Sequence, residues 1–230
     1  MMKALPWSVT SDLSRRWGRV MDDVHTLPVY RYPWHDLERA MTERTVADVP
    51  VVAYGSLLNR HSARRTLPRS VLDEAKPVVA AGVQRVFDYR MSEAKSVYGA
   101  PLYAKASAAL NVHVVGNPKS IVNGLLIRLT CEALAAFRDR EEDYDLVPVA
   151  CVDWEHPRES FPAYILQSEV RADSTLLPHR AYYLVCRRGA SAYGEAFLRF
   201  WLQTTYLGDR TTLVADWEQE AFPDGIPAQV

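Results

Sequence analysis

Cysteine is scarce in this chain: Cys131, Cys151 and Cys186 are the three in 230 residues. They are widely spaced, form no CxxC pair, and their odd number argues against a disulfide framework. Histidine is also sparse. His25, His35, His61, His113, His156 and His179 stand singly, with no two at ligand spacing. No metal and no cofactor is expected. No apolar run reaches the ~18 residues of a membrane span. The first residues, MMKALPWSVTSDLSRRWGRV, lack the continuous apolar core of a signal peptide. Neither sign of charge is in excess, with 27 basic against 28 acidic residues. That excludes the electrostatic signature of a nucleic-acid or membrane-surface partner. Internal repeats and low-complexity segments are absent as well. These absences leave a cytoplasmic protein with reduced thiols as the expectation.

What is present is a chain 48% hydrophobic, enough for one sizeable core with appendages. Residues 10–24 read as a helix capped by Ser11, with Leu13, Trp17, Val20 and Met21 on one face. A second short helix is expected over 34–43. Residues 1–48 thus read as a helical extension, and 49–230 as the main domain. From Pro50 the pattern changes to strands. VVAY is a short apolar run of the kind buried on both faces. Lys76 to Arg90, KPVVAAGVQRVFDYR, is rich in Val and aromatics, and Gly82 inside it marks a bulge or sharp bend. AALNVHVV and IVNGLLIRL are strands separated by the turn cluster GNPKS. TCEALAAFRDREE reads as a helix with Thr130 as N-cap and Leu134 and Phe137 inward. LVPVACVDW and FPAYILQ return to strand. The tail is expected to be helical on either side of Gly189, with Phe197, Phe200 and Trp201 as a core stripe. Strands, helix, strands, helices is the order of an α+β domain with a mixed or closed sheet.

Two stretches can carry chemistry. The first is Tyr54-Gly55-Ser56-Leu57, where the first strand stops. Gly55 can take a positive φ and let the backbone approach a ligand closely. The amides of Gly55, Ser56 and Leu57 leave the sheet without a strand partner. A helix starting near Asn59 would put them at its positive end, a site for a carboxylate. An ordinary strand-to-helix turn accounts for the same four residues. The second stretch is the acidic RDREEDYDL. Charge runs are commonly solvated helix ends. Carboxylates at a helix C-terminus are unfavourable against the dipole, however, so one kept there is a candidate for chemistry. Leu134, Phe137 and Glu141 share a face at i, i+3 and i+7, so Glu141 turns coreward while Glu142 and Asp143 rotate away. A carboxylate at the edge of an apolar pocket has a raised pKa and suits general acid–base work.

In this order and spacing, VVAYGSL, GVQRVFDYR and VNGLLIRLTCEALAAFRDREEDYDLVPV resemble the γ-glutamylcyclotransferase-like superfamily over about residues 50–170. Val122-Asn123-Gly124 matches its Val-x-Gly strand. Phe137 stands at the Leu of its Leu-Asp-x-x-Glu helix end, Glu141 at the glutamate and Tyr144 at the tyrosine. Val147-Pro148-Val149 matches the strand that follows. Arg138 departs from the usual aspartate. Glu142 and Asp143 replace small residues and are expected to raise the pKa of Glu141 further. The resemblance implies a small mixed β-barrel-like sheet flanked by helices. It implies that Glu141 is catalytic, with Tyr54, Gly55, Ser56, Leu57 and Tyr144 binding substrate. Residues 50–170 are then expected in one mixed sheet with an open cavity beside Tyr54–Leu57. Two separate sheets, or a Gly55 packed over with no cavity, would end the family reading.

The implied activity is intramolecular aminolysis of a small γ-glutamyl substrate, releasing 5-oxoproline and a free amine, without metal or cofactor. The alternative is a non-catalytic member of the fold that binds a small carboxylated ligand or a protein. The extension and the tail could cover the pocket or build a homodimer. Ser56 as an acyl nucleophile is weaker, lacking a GxSxG frame and identifiable His and Asp partners. Arg60, Arg64 and Arg65 read as a solvated helix face. Arg85 and Arg90 read as structural or pocket-rim residues, and Tyr164 as a buried strand tyrosine.

Overall fold

In the computed structural model residues 47–91 and 107–227 are described, together with Arg39, Met41 and Glu43. The helix expected over 10–24 lies outside the described residues. So does most of the one over 34–43, of which Arg39 and Met41 are helical and Met41 is buried.

The strands are β1 (Val49–Ala53), β2 (Lys76–Ala81), β3 (Val83–Arg90), β4 (Ala108–Val114), β5 (Ile121–Leu129), β6 (Asp145–Asp153), β7 (Phe161–Gln167) and β8 (Thr205–Leu207). The helices are α1 (Arg60–Ala63), α2 (Arg69–Asp73), α3 (Cys131–Arg140), α4 (Arg180–Ser191), α5 (Glu195–Gln203) and α6 (Val214–Ala221). Strands β1-β5-β2-β6-β7 form a closed barrel. Its seam is parallel, with Val51 opposite Tyr164 and Val52 opposite Ile165, whereas the other pairs are antiparallel. Closure removes the sheet edges that would otherwise expose unpaired backbone groups. The continuous apolar run of β1 follows from that placement: Val51, Val52 and Ala53 are all buried, whichever face they take.

The single sheet expected over 50–170 is not what forms. β4-β3-β8 make a separate three-stranded sheet, with β3 antiparallel to β4 and parallel to β8. The reason lies at Gly82, whose φ of 76° bends one continuous run of chain out of the barrel as β2 and into the second sheet as β3. The second sheet is therefore a branch of the barrel rather than a second core. Its buried residues Phe87, Leu110 and Val112 belong to the same apolar cluster as the barrel's Val51 and Ile127. Two sheets as such do not separate this architecture from a small mixed barrel flanked by helices, which is the fold found.

The C-terminal segment also departs from expectation in one detail. Gly189 lies inside α4 rather than between two helices, and the break falls at Gly194, the N-cap of α5. Gly189 is needed for close packing: a Cβ there would lie 2.5 Å from the Asn59 nitrogen and 2.6 Å from the Leu58 carbonyl carbon. The last residues of the expected helix, Thr205–Leu207, form β8 instead.

The stripe Phe197, Phe200 and Trp201 is fully or almost fully buried. Phe197 and Phe200 pack edge-on against Trp154, at 5.2 and 5.4 Å between centroids, just past the end of β6. Truncation of the chain after Tyr193 strips these aromatics from the barrel and should abolish cooperative unfolding. Trp201→Ala, which leaves a cavity, should lower stability by about 3–5 kcal/mol. Denaturant melts check both, and a truncated chain that melts like the full one would contradict the packing.

Candidate active site

β1 ends at Ala53, and the next residues turn sharply into a 3₁₀ turn, Ser56–Leu58. Leu58 and Asn59 donate back to the carbonyls of Gly55 and Ser56. Among the described residues the N–H groups of Gly55, Ser56 and Leu57 have no acceptor, as the first donors of a helical turn must be without a cap. Asn59 then caps α1, its side chain accepting from the Ser62 amide at 3.1 Å. Gly55 itself does not take a positive φ; its φ is −115°. What a side chain here would meet is the Tyr182 hydroxyl, 2.8 Å from the Cβ position, which would have to move aside.

A half-open cavity of about 290 Å³, its mouth included, lies beside this turn. It is lined by Tyr54, Gly55, Ser56 and Leu57 from the turn and by Glu141 and Tyr144 from beyond α3. All six residues singled out from the sequence therefore face one space. Leu110 of β4, Leu166 of β7 and Tyr182 of α4 complete much of the wall. Tyr164, half-buried on β7, is not part of the lining.

Glu141 is the C-cap of α3, one residue beyond the last helical turn, with its amide still bonded to the Phe137 carbonyl at 3.0 Å. Leu134 and Phe137 are buried on the same side, and the Glu141 side chain is 14% exposed. Burial raises its carboxyl pKa, and the adjacent Arg140 guanidinium, donating to Oε1 at 3.0 Å, pulls it part of the way back. The expectation that Glu142 and Asp143 load this carboxyl with like charge is not met. Glu142 is exposed, and Asp143 turns away to accept from the Tyr89 hydroxyl at 2.9 Å and to pair with Arg171 at 3.3 Å.

The tyrosines are fixed by their hydroxyls and rings. Tyr54 donates to the Leu166 carbonyl at 2.7 Å, and Tyr144 to the Leu110 carbonyl at 2.9 Å. Tyr144 also stacks on Tyr89 at 4.7 Å. Burial pushes the phenols of Tyr54 and Tyr144 well above their ordinary range, so both are neutral near pH 7. The Ser56 hydroxyl accepts from Arg140 at 2.9 Å and has neither His nor Asp beside it in the manner of an acyl-enzyme nucleophile. Among the described residues no three His, Cys, Asp or Glu groups gather as a metal site, and no helix is long and apolar enough to cross a membrane.

Sequence reasoning missed Tyr182 and Arg140. Tyr182 comes from the tail, outside the stretch that carries the motifs. A Tyr-Tyr pair in an amphipathic helix gives no sign of which ring reaches a cavity. Arg140 was hidden in a charge run, where only the helix end decides which residue turns inward.

No protein-family model and no curated protein sequence matches the chain. Solved structures do. The fold is similar to that of YkqA from Bacillus subtilis, with a TM-score of 0.50 and 16% identity over 70% of this chain and 55% of YkqA. The chain therefore spans little more than half the length of that relative. Weaker likenesses are to uncharacterized protein loc79017 from Homo sapiens and to a γ-glutamyl cyclotransferase. Their TM-scores are 0.46 and 0.45, each at 12% identity; the matches cover 68% and 67% of this chain and 87% and 86% of theirs. At these identities the likeness is one of fold.

A raised carboxyl pKa has a thermodynamic consequence that does not depend on function. The native Glu141 carboxyl holds its proton more tightly than the unfolded one, whose ordinary value is 4.5. Its contribution to stability is thus fully present in acid and is lost as pH rises through the native pKa. Glu141→Gln removes that loss. The melting temperature of the variant relative to wild type should therefore increase from about pH 4.5 upward. A relative decrease over that range would show that the carboxylate is favoured by its site.

Proposed function

We propose that this protein is an enzyme that cyclises a γ-glutamyl amide, releasing 5-oxoproline and a free amine. The observation that carries the proposal is the cavity that Glu141 shares with the Gly55–Leu57 amides. A site that only held an anion would gain nothing from a carboxylate opposite its N–H donors. A reaction that must move a proton beside a bound carboxylate needs both.

The chemistry asks for three things. The γ-glutamyl chain must curl so that its α-nitrogen approaches its γ-carbonyl carbon. The amides of Gly55, Ser56 and Leu57, holding the α-carboxylate at one end, would favour that conformer. The α-ammonium must then lose a proton, and Glu141 is the base within the same space. As the new C–N bond closes, the carbonyl becomes a tetrahedral oxyanion that needs a donor nearby. When the old C–N bond breaks, the leaving nitrogen takes a proton, which Glu141 can return. Attack by the neutral amine leaves the new ring nitrogen with two protons. One stays on the lactam, and the other passes to the released amine, which departs as an ammonium, so Glu141 serves as base and then as acid and ends ionised. The cysteines Cys131, Cys151 and Cys186 are all free, which supports a reducing, cytoplasmic setting.

The test is 5-oxoproline release across γ-glutamyl amino acids, γ-glutamyl amines and glutathione. On an accepted substrate Glu141→Gln should lose about 10²–10⁴-fold in turnover with binding largely kept. Glu142→Gln, on the exposed side, should cost little. Gly55→Val should weaken binding, because its side chain enters the cavity toward Tyr182. Activity should fall in acid through a limb set above the ordinary carboxylate range, since Glu141 must be ionised to accept the proton. A fully active Glu141→Gln would exclude this chemistry.

A further inference from the structure

Arg140 is joined to more of this site than any residue the motifs pointed to. Its Nε donates to Glu141 Oε1 at 3.0 Å. Nη1 donates to the Ser62 carbonyl and to Thr66 Oγ1, both at 3.1 Å. Nη2 donates to Ser56 Oγ at 2.9 Å and to Ser62 Oγ at 3.3 Å. These are five bonds for the five N–H groups that a guanidinium has. The side chain is 19% exposed and has no donor left over for a ligand. It ties the end of α3 to the 3₁₀ turn, to α1 and to the residues after α1.

Two consequences follow for the atoms that face the cavity. With Oε1 of Glu141 engaged, Oε2 is the oxygen left to exchange a proton with a ligand. With Ser56 Oγ accepting from a cation, its own proton is directed elsewhere and is the more readily donated. Ser56 lines the cavity, so the partner for that proton is an oxygen of the bound molecule.

We propose that Arg140 is the positioning residue of this site, fixing Glu141 with Oε2 toward the cavity and turning the Ser56 hydroxyl into a donor to an anionic oxygen of the ligand. The groups that face Glu141 are consistent with a single ionic partner. Tyr54 from the turn after β1, Tyr144 beyond α3, Tyr182 from α4 and Tyr89 of β3 behind Tyr144 are phenols. Asp143 is engaged by Tyr89 and Arg171, Arg138 pairs with Asp139, and Glu142 is exposed. The ligand class is accordingly a small molecule with a carboxylate at the turn and an ionisable nitrogen at Oε2. The catalytic part of this inference rests on the cyclisation reading, whereas the brace itself does not.

The experiment uses the full chain and separates the two. The Glu141 carboxyl is followed by ¹³C NMR on glutamate-labelled protein, with its resonance assigned through Glu141→Gln. Arg140→Gln should raise the Glu141 midpoint by on the order of one pH unit, and move the acid limb of kcat/KM with it. Arg140→Lys should raise it less, because one ammonium can pair with Glu141 but cannot span Ser56, Ser62 and Thr66 together. Ser56→Ala should leave the midpoint at the wild-type value and raise KM by about tenfold or more, with kcat little changed. An unmoved midpoint in Arg140→Gln overturns the proposal, as does a midpoint in Ser56→Ala displaced as far as in Arg140→Gln. Should Arg140→Gln not fold, an unmoved midpoint in Arg140→Lys overturns it equally. If wild type released 5-oxoproline from no member of the panel, the cyclisation reading would fall, and the midpoints would still decide the brace.

Discussion

Much of this structure depends on a guanidinium sealed in its core. Arg85, on β3, is fully buried, and each acceptor around it is neutral. It donates to Thr205 Oγ1 at 2.8 Å, to the Asn123 carbonyl at 2.6 Å and to the Asn123 side chain at 3.1 Å. It also reaches the Trp201 carbonyl and Thr204 Oγ1, and lies 5.1 Å from the centre of the Trp201 ring. Those partners belong to the barrel strand β5, to helix α5 with its C-cap Thr204, and to β8, so the single side chain joins the barrel and α5 to the second sheet. Burying an ion costs several kcal/mol, which the five bonds and the indole face offset. Burial lowers the pKa to about 9, so the group remains a cation at neutral pH. Replacing its partners by apolar groups would leave that charge without compensation, and this explains why Asn123, Thr204 and Thr205 are polar in an otherwise apolar region.

The same network reaches the candidate site. Trp201, held by Arg85, donates from its indole nitrogen to the Tyr54 carbonyl at 3.3 Å. Asn123 fixes α5 by donating to the Phe197 carbonyl at 2.9 Å. Hence the start of the Tyr54–Leu57 turn is anchored from the core side by one arginine and from the outer side by another, Arg140. The two differ in what they touch. Arg85 meets only neutral dipoles and organises packing, whereas Arg140 meets a carboxylate and a hydroxyl that face a cavity. Between them the turn is anchored on both sides.

What was legible in the sequence was what short-range chemistry dictates. The strand before Tyr54, the bend at Gly82, the Thr130 start of α3 and the inward turn of Glu141 each follow from periodicity or a special residue within about a turn of chain. The long-range facts were not. Whether β3 stays in the barrel depends on how sharply the chain bends at Gly82 and on β8, a three-residue strand that pairs with it from 120 residues away, Arg85 lying opposite Thr205. No local pattern marks β8 as a strand. Gly189 reads as a helix break because glycine is a poor helix former. Its actual role, letting α4 lie against Leu58 and Asn59, exists only once the two segments meet. The error over Glu142 and Asp143 has a similar origin. Neighbours in sequence are not neighbours in space here, because past the end of a helix successive side chains diverge.

That divergence bears on where the site ends. The motifs span about residues 50–170, yet the cavity they line is closed by Tyr182 and steadied by Val185, whose carbonyl accepts from Asn59 at 3.4 Å. The Tyr182 ring is set edge-on to Phe87 of the second sheet, 6.3 Å between centroids. The Tyr182 hydroxyl lies over Gly55, where a Cβ would come within 2.8 Å of it. The tail is thus as much a part of the pocket as the Tyr54–Leu57 turn, and a domain cut at the end of the motifs would keep Glu141 but lose the Tyr182 wall of its cavity.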